Sequence, residues 1–147
     1  MMLLATILGA LLFALALLHA YWGVGGVWPG VDQADLARRV AGFKDGSRST
    51  QSPVACFLVA AALCFCAIVA LVLGGIIGSP FPFFILGPAA LVITLVFLGR
   101  GVAGYTSAWR RLTPVQPFAR LDRLFYSPLC LVVGAGFFTL GIRGFSA

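Results

Sequence analysis

Few side chains in this sequence can move a proton or hold a charge. There is one histidine, His19, and only four carboxylates stand against ten Lys and Arg. Asp122, Tyr126 and Cys130 follow one another at intervals of four, which places them on one face of a helix. Pro128 falls among them, and its ring deprives the Leu124 carbonyl of its helical donor, so a kink with a free acceptor is expected there. Together a histidine, a carboxylate and a phenol could supply base, acid and hydrogen-bond donor, and an arginine could clamp an anionic head. His19, Asp122 and Tyr126 are therefore the catalytic candidates. Trp22, Arg100, Arg123 and Cys130 are the candidates for contact with a ligand. Each also has a structural duty open to it: the tryptophans can sit in an interfacial belt, Arg100 and Arg123 can snorkel, and Asp122 can pair with either arginine.

The cysteines point away from metal and disulfide chemistry. Cys56, Cys64, Cys66 and Cys130 all lie in apolar runs, with no C-x-x-C and no paired histidine spacing, as expected of small buried hydrophobes. No metal site is expected. Cys64 and Cys66 diverge on a helix, which leaves Cys56 with Cys130 as the one pair that a thiol redox role could use.

The elements that must position these groups follow from composition. Of the 147 residues, 61% are hydrophobic and 10% charged, against about 45–50% and about 25% in a soluble domain. So short a chain cannot enclose that much apolar surface, and part of it must face lipid. A soluble enzyme, a disordered tail, a coiled coil and a disulfide scaffold are excluded. Four apolar runs can each cross a membrane, over about residues 3–22, 54–77, 83–100 and 125–142. The second and third are separated by the breaker Gly78-Ser79-Pro80-Phe81-Pro82. Only helices satisfy their own backbone across runs of this length. The expected fold is all-α: a single membrane domain over 1–147, a four-helix up-and-down bundle. Small residues that let helices approach in lipid support its packing, with Gly74 and Gly78 in G-x-x-x-G spacing, Ala16 with Ala20, and Gly87, Gly134, Gly136 and Gly141.

Charge gives the expected orientation. The net charge of +6 would raise nucleic acid as a partner in a soluble protein, but nine of the ten basic residues fall in the loops 29–52 and 101–124 or at their edge. The tight second loop holds none, so the positive-inside rule places both basic loops in the cytoplasm and both termini outside. Cleavage of residues 1–20 as a signal peptide is disfavoured, since no basic segment precedes the apolar run. In the first loop Asp32 is a good N-cap, Asp35 follows in the first turn, and Val31, Ala34, Ala37, Val40 and Phe43 recur at near-helical spacing. An amphipathic cytoplasmic loop helix on the inner leaflet, arginines at the headgroups, is expected; a solvated loop is the plainer alternative. In the third loop Trp109 beside Arg110 and Arg111 reads as an interfacial anchor, with Pro117 opening the helix that becomes the fourth span.

With that topology His19, Trp22, Arg100, Asp122, Arg123, Tyr126 and Cys130 fall at one depth, at the cytoplasmic ends of the spans. His19 is expected within a side-chain length of Asp122 or Tyr126. The segments His19-Ala-Tyr-Trp-Gly-Val-Gly-Gly-Val-Trp-Pro-Gly, Gly99-Arg100 and Phe118-Ala-Arg-Leu-Asp-Arg-Leu-Phe-Tyr-Ser-Pro-Leu-Cys130 resemble an uncharacterised bacterial family of four-span membrane proteins, a domain of unknown function. The resemblance covers nearly the whole chain, carried by H-x-x-W and D-x-x-x-Y-S-P-L-C. It implies the architecture and a bacterial inner-membrane location, and transfers no chemistry and no cofactor.

Three functions fit this reading. In the foremost, an amphipathic small molecule such as a lipid, quinone or isoprenoid binds, and is transformed if the site is catalytic, at a cytoplasmic-side polar pocket; a haem on the single histidine is a weak special case, as no second axial ligand is evident. In the second, the chain is a non-catalytic subunit of a larger membrane complex or a homo-oligomer. The third, a small dimeric transporter, is disfavoured because no span carries a mid-membrane carboxylate.

Overall fold

The computed structural model describes residues 1–42, 52–78 and 82–145. It is all helical among the described residues. Helix α1 runs over Met2–Gly23, α2 over Gln33–Val40, α3 over Pro53–Leu73, α4 over Phe83–Ala103 and α5 over Ser107–Leu112. The last span is continuous through three parts: α6 over Phe118–Leu121, a π-helical turn over Asp122–Tyr126, and α7 over Ser127–Phe145. Four of these units, α1, α3, α4 and the composite last helix, are long and apolar enough to cross a membrane. At about 1.5 Å per residue, the 22 residues of α1 reach about 33 Å, against a hydrocarbon core of about 30 Å.

The ends of these helices follow from local chemistry. Ser52 caps α3 and Pro53 occupies its first turn, where a missing N–H costs nothing. Thr106 caps α5 by accepting from the Trp109 N–H. The second span ends at Leu73, short of 77, because the chain turns at Gly74 and at Gly75, whose φ is +71°. The last helix begins at Phe118, seven residues ahead of the apolar run; Phe118 itself is buried and anchors that early start.

The spans associate as two hairpins. Packing is closest between α1 and α3 and between α4 and α7, each pair joined by one of the basic loops. Glycines set the closeness. Gly74 faces Ala5 so closely that a Cβ could not fit, and the α4 and α7 surfaces interlock through Leu131 over Gly101 and Leu98 over Gly134. Gly136 receives Leu8 from the other hairpin. Gly78, the other half of the G-x-x-x-G, has open space around it and takes no part. One core joins both hairpins, built from Ala5, Leu8 and Leu12, Ala67 and Ala70, Ile93, and Val133, Phe137 and Leu140.

The outward faces are as apolar as the core. Leu3 and Phe84 are each 74% exposed, and Leu58, Leu95 and Val132 are similarly bare. Contiguous exposure on this scale is incompatible with water and suits hydrocarbon. The protein is a multi-pass membrane protein whose environment is the lipid bilayer.

Helix α2 is amphipathic, and its buried face matches the expected one in part: Ala37 is buried and Val40 is partly buried against the cluster around Leu36. Val31 and Ala34 are exposed, whereas Leu36, fully buried, packs with Trp22 and Cys56. The helix thus uses its apolar residues to close the end of the first hairpin. Phe43 lies outside the described residues. Asp32 caps the helix as expected, accepting from the Asp35 N–H at 2.7 Å. Gly42, at φ +63°, ends it, and a Cβ there would meet the Phe118 ring. The Gly42 carbonyl accepts from the Val115 N–H, so the two loops meet.

Candidate functional site

The polar groups gather at the loop end of the bundle, and Asp122 is their centre. It is 2% exposed, and a buried carboxylate must be paired and hydrogen-bonded to be tolerated. Arg100, at the end of α4, donates from Nη2 to Oδ1 at 2.6 Å. Trp109 of α5 donates from Nε1 to Oδ2 at 3.0 Å. The Arg100 Cζ lies 4.6 Å from the centre of the Trp109 ring, within cation–π range, so the two donors also hold each other. The Arg100 Nη1 reaches the Ser127 hydroxyl at 3.5 Å. Backbone proximity makes this possible: Gly104, one turn after Arg100, lies so close that a Cβ would meet the Ser127 Oγ, with the Asp122 Oδ2 at 2.9 Å.

The π turn explains why Ser127 belongs to the set. Within Asp122–Tyr126 the helix widens, and the Ser127 N–H bonds back to the Asp122 carbonyl five residues earlier. Pro128, which has no N–H to give, follows immediately. Asp122 and Ser127 are consequently both buried on the side facing α4. This wider turn just ahead of Pro128 changes the phase of the helix and moves Tyr126 off the Asp122 face. The Tyr126 hydroxyl donates instead to the Arg39 carbonyl at 3.2 Å, tying the last span to α2, and its ring lies 5.8 Å from that of Phe118. Cys130 is half-buried one turn further on, and no disulfide joins the cysteines among the described residues.

His19 is placed in the opposite hairpin. Its Nδ1 lies 2.8 Å from the Leu15 carbonyl, which can only accept, so Nδ1 carries a proton and donates to it. The ring packs edge-on against Trp22 at 4.8 Å, and Trp22 Nε1 donates to the Trp28 carbonyl at 2.7 Å. His19 is bonded to neither Asp122 nor Tyr126. The reason is the pairing of the spans: α1 packs on α3 and the last helix on α4, which leaves a cleft between the hairpins. That cleft, about 270 Å³, is lined by His19, Trp22, Ala55, Cys56 and Val59 of the first hairpin, Val40 and Ala41 at the end of α2, and Arg100, Trp109 and Phe118 of the second hairpin. Asp122 stands behind Arg100 and Trp109.

Arg123 is brought to neither group. It lines a separate cleft with Arg110, Arg111 and Arg120. Within α2, Asp35 accepts from Arg39 Nε at 2.8 Å and from Arg38 Nη2 at 3.1 Å. The hydrogen bond from Arg39 holds its carboxyl below the ordinary value of 3.8, in spite of partial desolvation. Among the described residues no three His, Cys, Asp or Glu side chains converge as a metal would need.

Trp109, Ser127 and Gly104 are the site residues that sequence reasoning did not assign. A tryptophan beside two arginines carries the signal of an anchor, Ser127 is out of phase with Asp122 in a regular α-helix, and a glycine in a glycine-rich chain carries no signal alone. What these features define is a small four-span helical membrane protein with a polar cluster at its loop end. The chain belongs to the family described as Protein of unknown function (DUF3995), whose model matches residues 12–137. Neither the curated proteins nor the solved structures give a match.

Proposed function

We propose that the cleft between the hairpins holds the polar head of an amphipathic small molecule, a lipid, quinone or isoprenoid, whose tail runs along the apolar helices. The observation that carries this reading is Arg100: a guanidinium anchored from behind by Asp122 yet with its side chain 30% exposed, in a cleft lined also by the apolar Val40, Ala55 and Val59. Asp122 and Ser127 take only part of the fork, so a ligand oxygen in the cleft can accept from the remaining guanidinium donors. Across the cleft His19, whose Nδ1 is bonded to Leu15, keeps Nε2 for a ligand hydroxyl. The pair therefore suits a head with both an acceptor and a donor, as a quinol or a hydroxylated headgroup has. Asp122 orients Arg100 without itself reaching the cleft. The same reading puts the protein in a bacterial inner membrane with the cleft on the cytoplasmic side and both termini outside, because both basic loops flank it.

The test is organic extraction and mass spectrometry of protein purified in mild detergent. Wild type is expected to carry a stoichiometric amphipathic molecule. Ala55→Phe, which fills the cleft and leaves the ion pair intact, should lose it, and His19→Leu should weaken it by about the tenfold that one hydrogen bond of about 1.4 kcal/mol represents. Retention by a folded Ala55→Phe protein would reject the site. A wild type free of ligand and isolated only within a larger assembly would replace it by the accessory-subunit reading.

A further inference from the structure

The larger cleft at the loop end, 880 Å³, lies between α5 and the start of the last helix and shares no lining residue with the cleft at His19. Arg110 and Arg111 enter it from α5, Arg120 and Arg123 from the other wall, with Gln116 at the turn between. All four arginines are exposed, and none meets a carboxylate among the described residues. The nearby acid, Asp122, is consumed by Arg100 and Trp109, and Asp35 by Arg38 and Arg39. An orientation signal needs basic residues in a loop but does not need them turned toward one cavity. Four exposed arginines lining one cleft with no carboxylate among its lining residues concentrate positive charge there, and a multiply charged anion would relieve it.

We infer that this cleft is a binding site for a multiply charged phosphate group, a phosphomonoester or a diphosphate. Leu124 lines the cleft and is 53% exposed, and Leu112 of α5 is also bare. Apolar surface therefore continues from the arginines onto the lipid-facing side of the span, as the tail of an anionic lipid requires. A soluble diphosphate would use the arginines alone.

The experiment measures binding of short-chain phosphatidic acid, inorganic pyrophosphate and short-chain phosphatidylcholine to the full-length protein in neutral detergent. Wild type should bind phosphatidic acid and not phosphatidylcholine. Two double variants, R110Q/R123Q and R111Q/R120Q, should each weaken binding by about tenfold or more, while keeping wild-type circular dichroism and elution volume. The variant R38Q removes a charge from the other loop, on α2, and should change binding by less than about twofold. Equal losses in all three variants would reduce the effect to overall charge and overturn the site, as would wild-type affinity in both double variants. Pyrophosphate fixes the source: phosphatidic acid bound with no pyrophosphate binding identifies a lipid headgroup, and equal affinity for the two identifies a free phosphate compound.

Discussion

Asp122 is the residue on which the loop end turns. Its carboxylate is buried at the margin of four apolar helices, and both oxygens are taken, one by Arg100 and one by Trp109. Removing one partner of such a pair leaves the other charge uncompensated, a loss of about 3–5 kcal/mol. Asp122→Ala should therefore cost about that much in thermal or denaturant unfolding in detergent. Trp109→Phe, which keeps the ring over Arg100 and deletes only the N–H, should cost about 1–3 kcal/mol. An equal loss in both would show that the charge itself is not what the site protects. Gly104 offers a sharper test because it touches no chemistry. Gly104→Ala drives a methyl into Ser127 and Asp122, and overpacking of this kind costs about 1–3 kcal/mol. A protein as stable as wild type would mean that α4 and the last helix can part at this level without consequence.

At the scale of elements, what was legible in the sequence is what a local pattern decides. The length of an apolar run fixes whether a helix can span, and Asp32 with Asp35 fixes where α2 starts. The face on which α2 docks was legible in part: Ala37 and Val40 lie on it as their spacing implies, but Val31 and Ala34 are exposed, and Trp22 and Cys56 of the hairpin that α2 connects select Leu36 as its centre. The π turn was hidden for a related reason. Spacing by four presumes a regular helix, and the turn before Pro128 changes the phase so that Ser127 joins Asp122 while Tyr126 goes to Arg39. Asp35 supplies an element-scale prediction. Its carboxyl is held below 3.8 by Arg39, so its stabilisation of α2 is complete above that value and is lost as the pH falls through the lower, folded value. Amide protection of α2 by hydrogen exchange, corrected for intrinsic rates, should be flat from neutrality to about pH 4 and fall below it. In Asp35→Asn the protection should be lower at neutrality and the acid loss smaller; an unchanged acid profile would assign the loss to another group.

For the whole molecule, the arrangement as two hairpins places the cleft. Each hairpin closes its own seam with glycine contacts, and the cleft is what is left where Leu36, Trp22 and Phe118 cap the ends of both. No sequence pattern says which spans pair, so the common depth of His19, Arg100 and Asp122 was readable and their partition between hairpins was not. Orientation rests on charge summed over the chain, with both basic loops at one end and the uncharged turn after α3 at the other. Single cysteines introduced into a cysteine-free variant test it. Thr113 is unsuited as a probe because it is buried and its hydroxyl donates to the Trp109 carbonyl. Ala108, exposed on α5, and Ser47 of the first loop take its place at the basic end, and exposed Gly78 marks the opposite end. In intact cells a membrane-impermeant thiol reagent should reach the Gly78→Cys probe from outside, and the probes at 47 and 108 only once the inner face is opened. The reverse pattern would put the basic loops and the cleft outside, and the proposed cytoplasmic-side head-binding function would have to be abandoned with them.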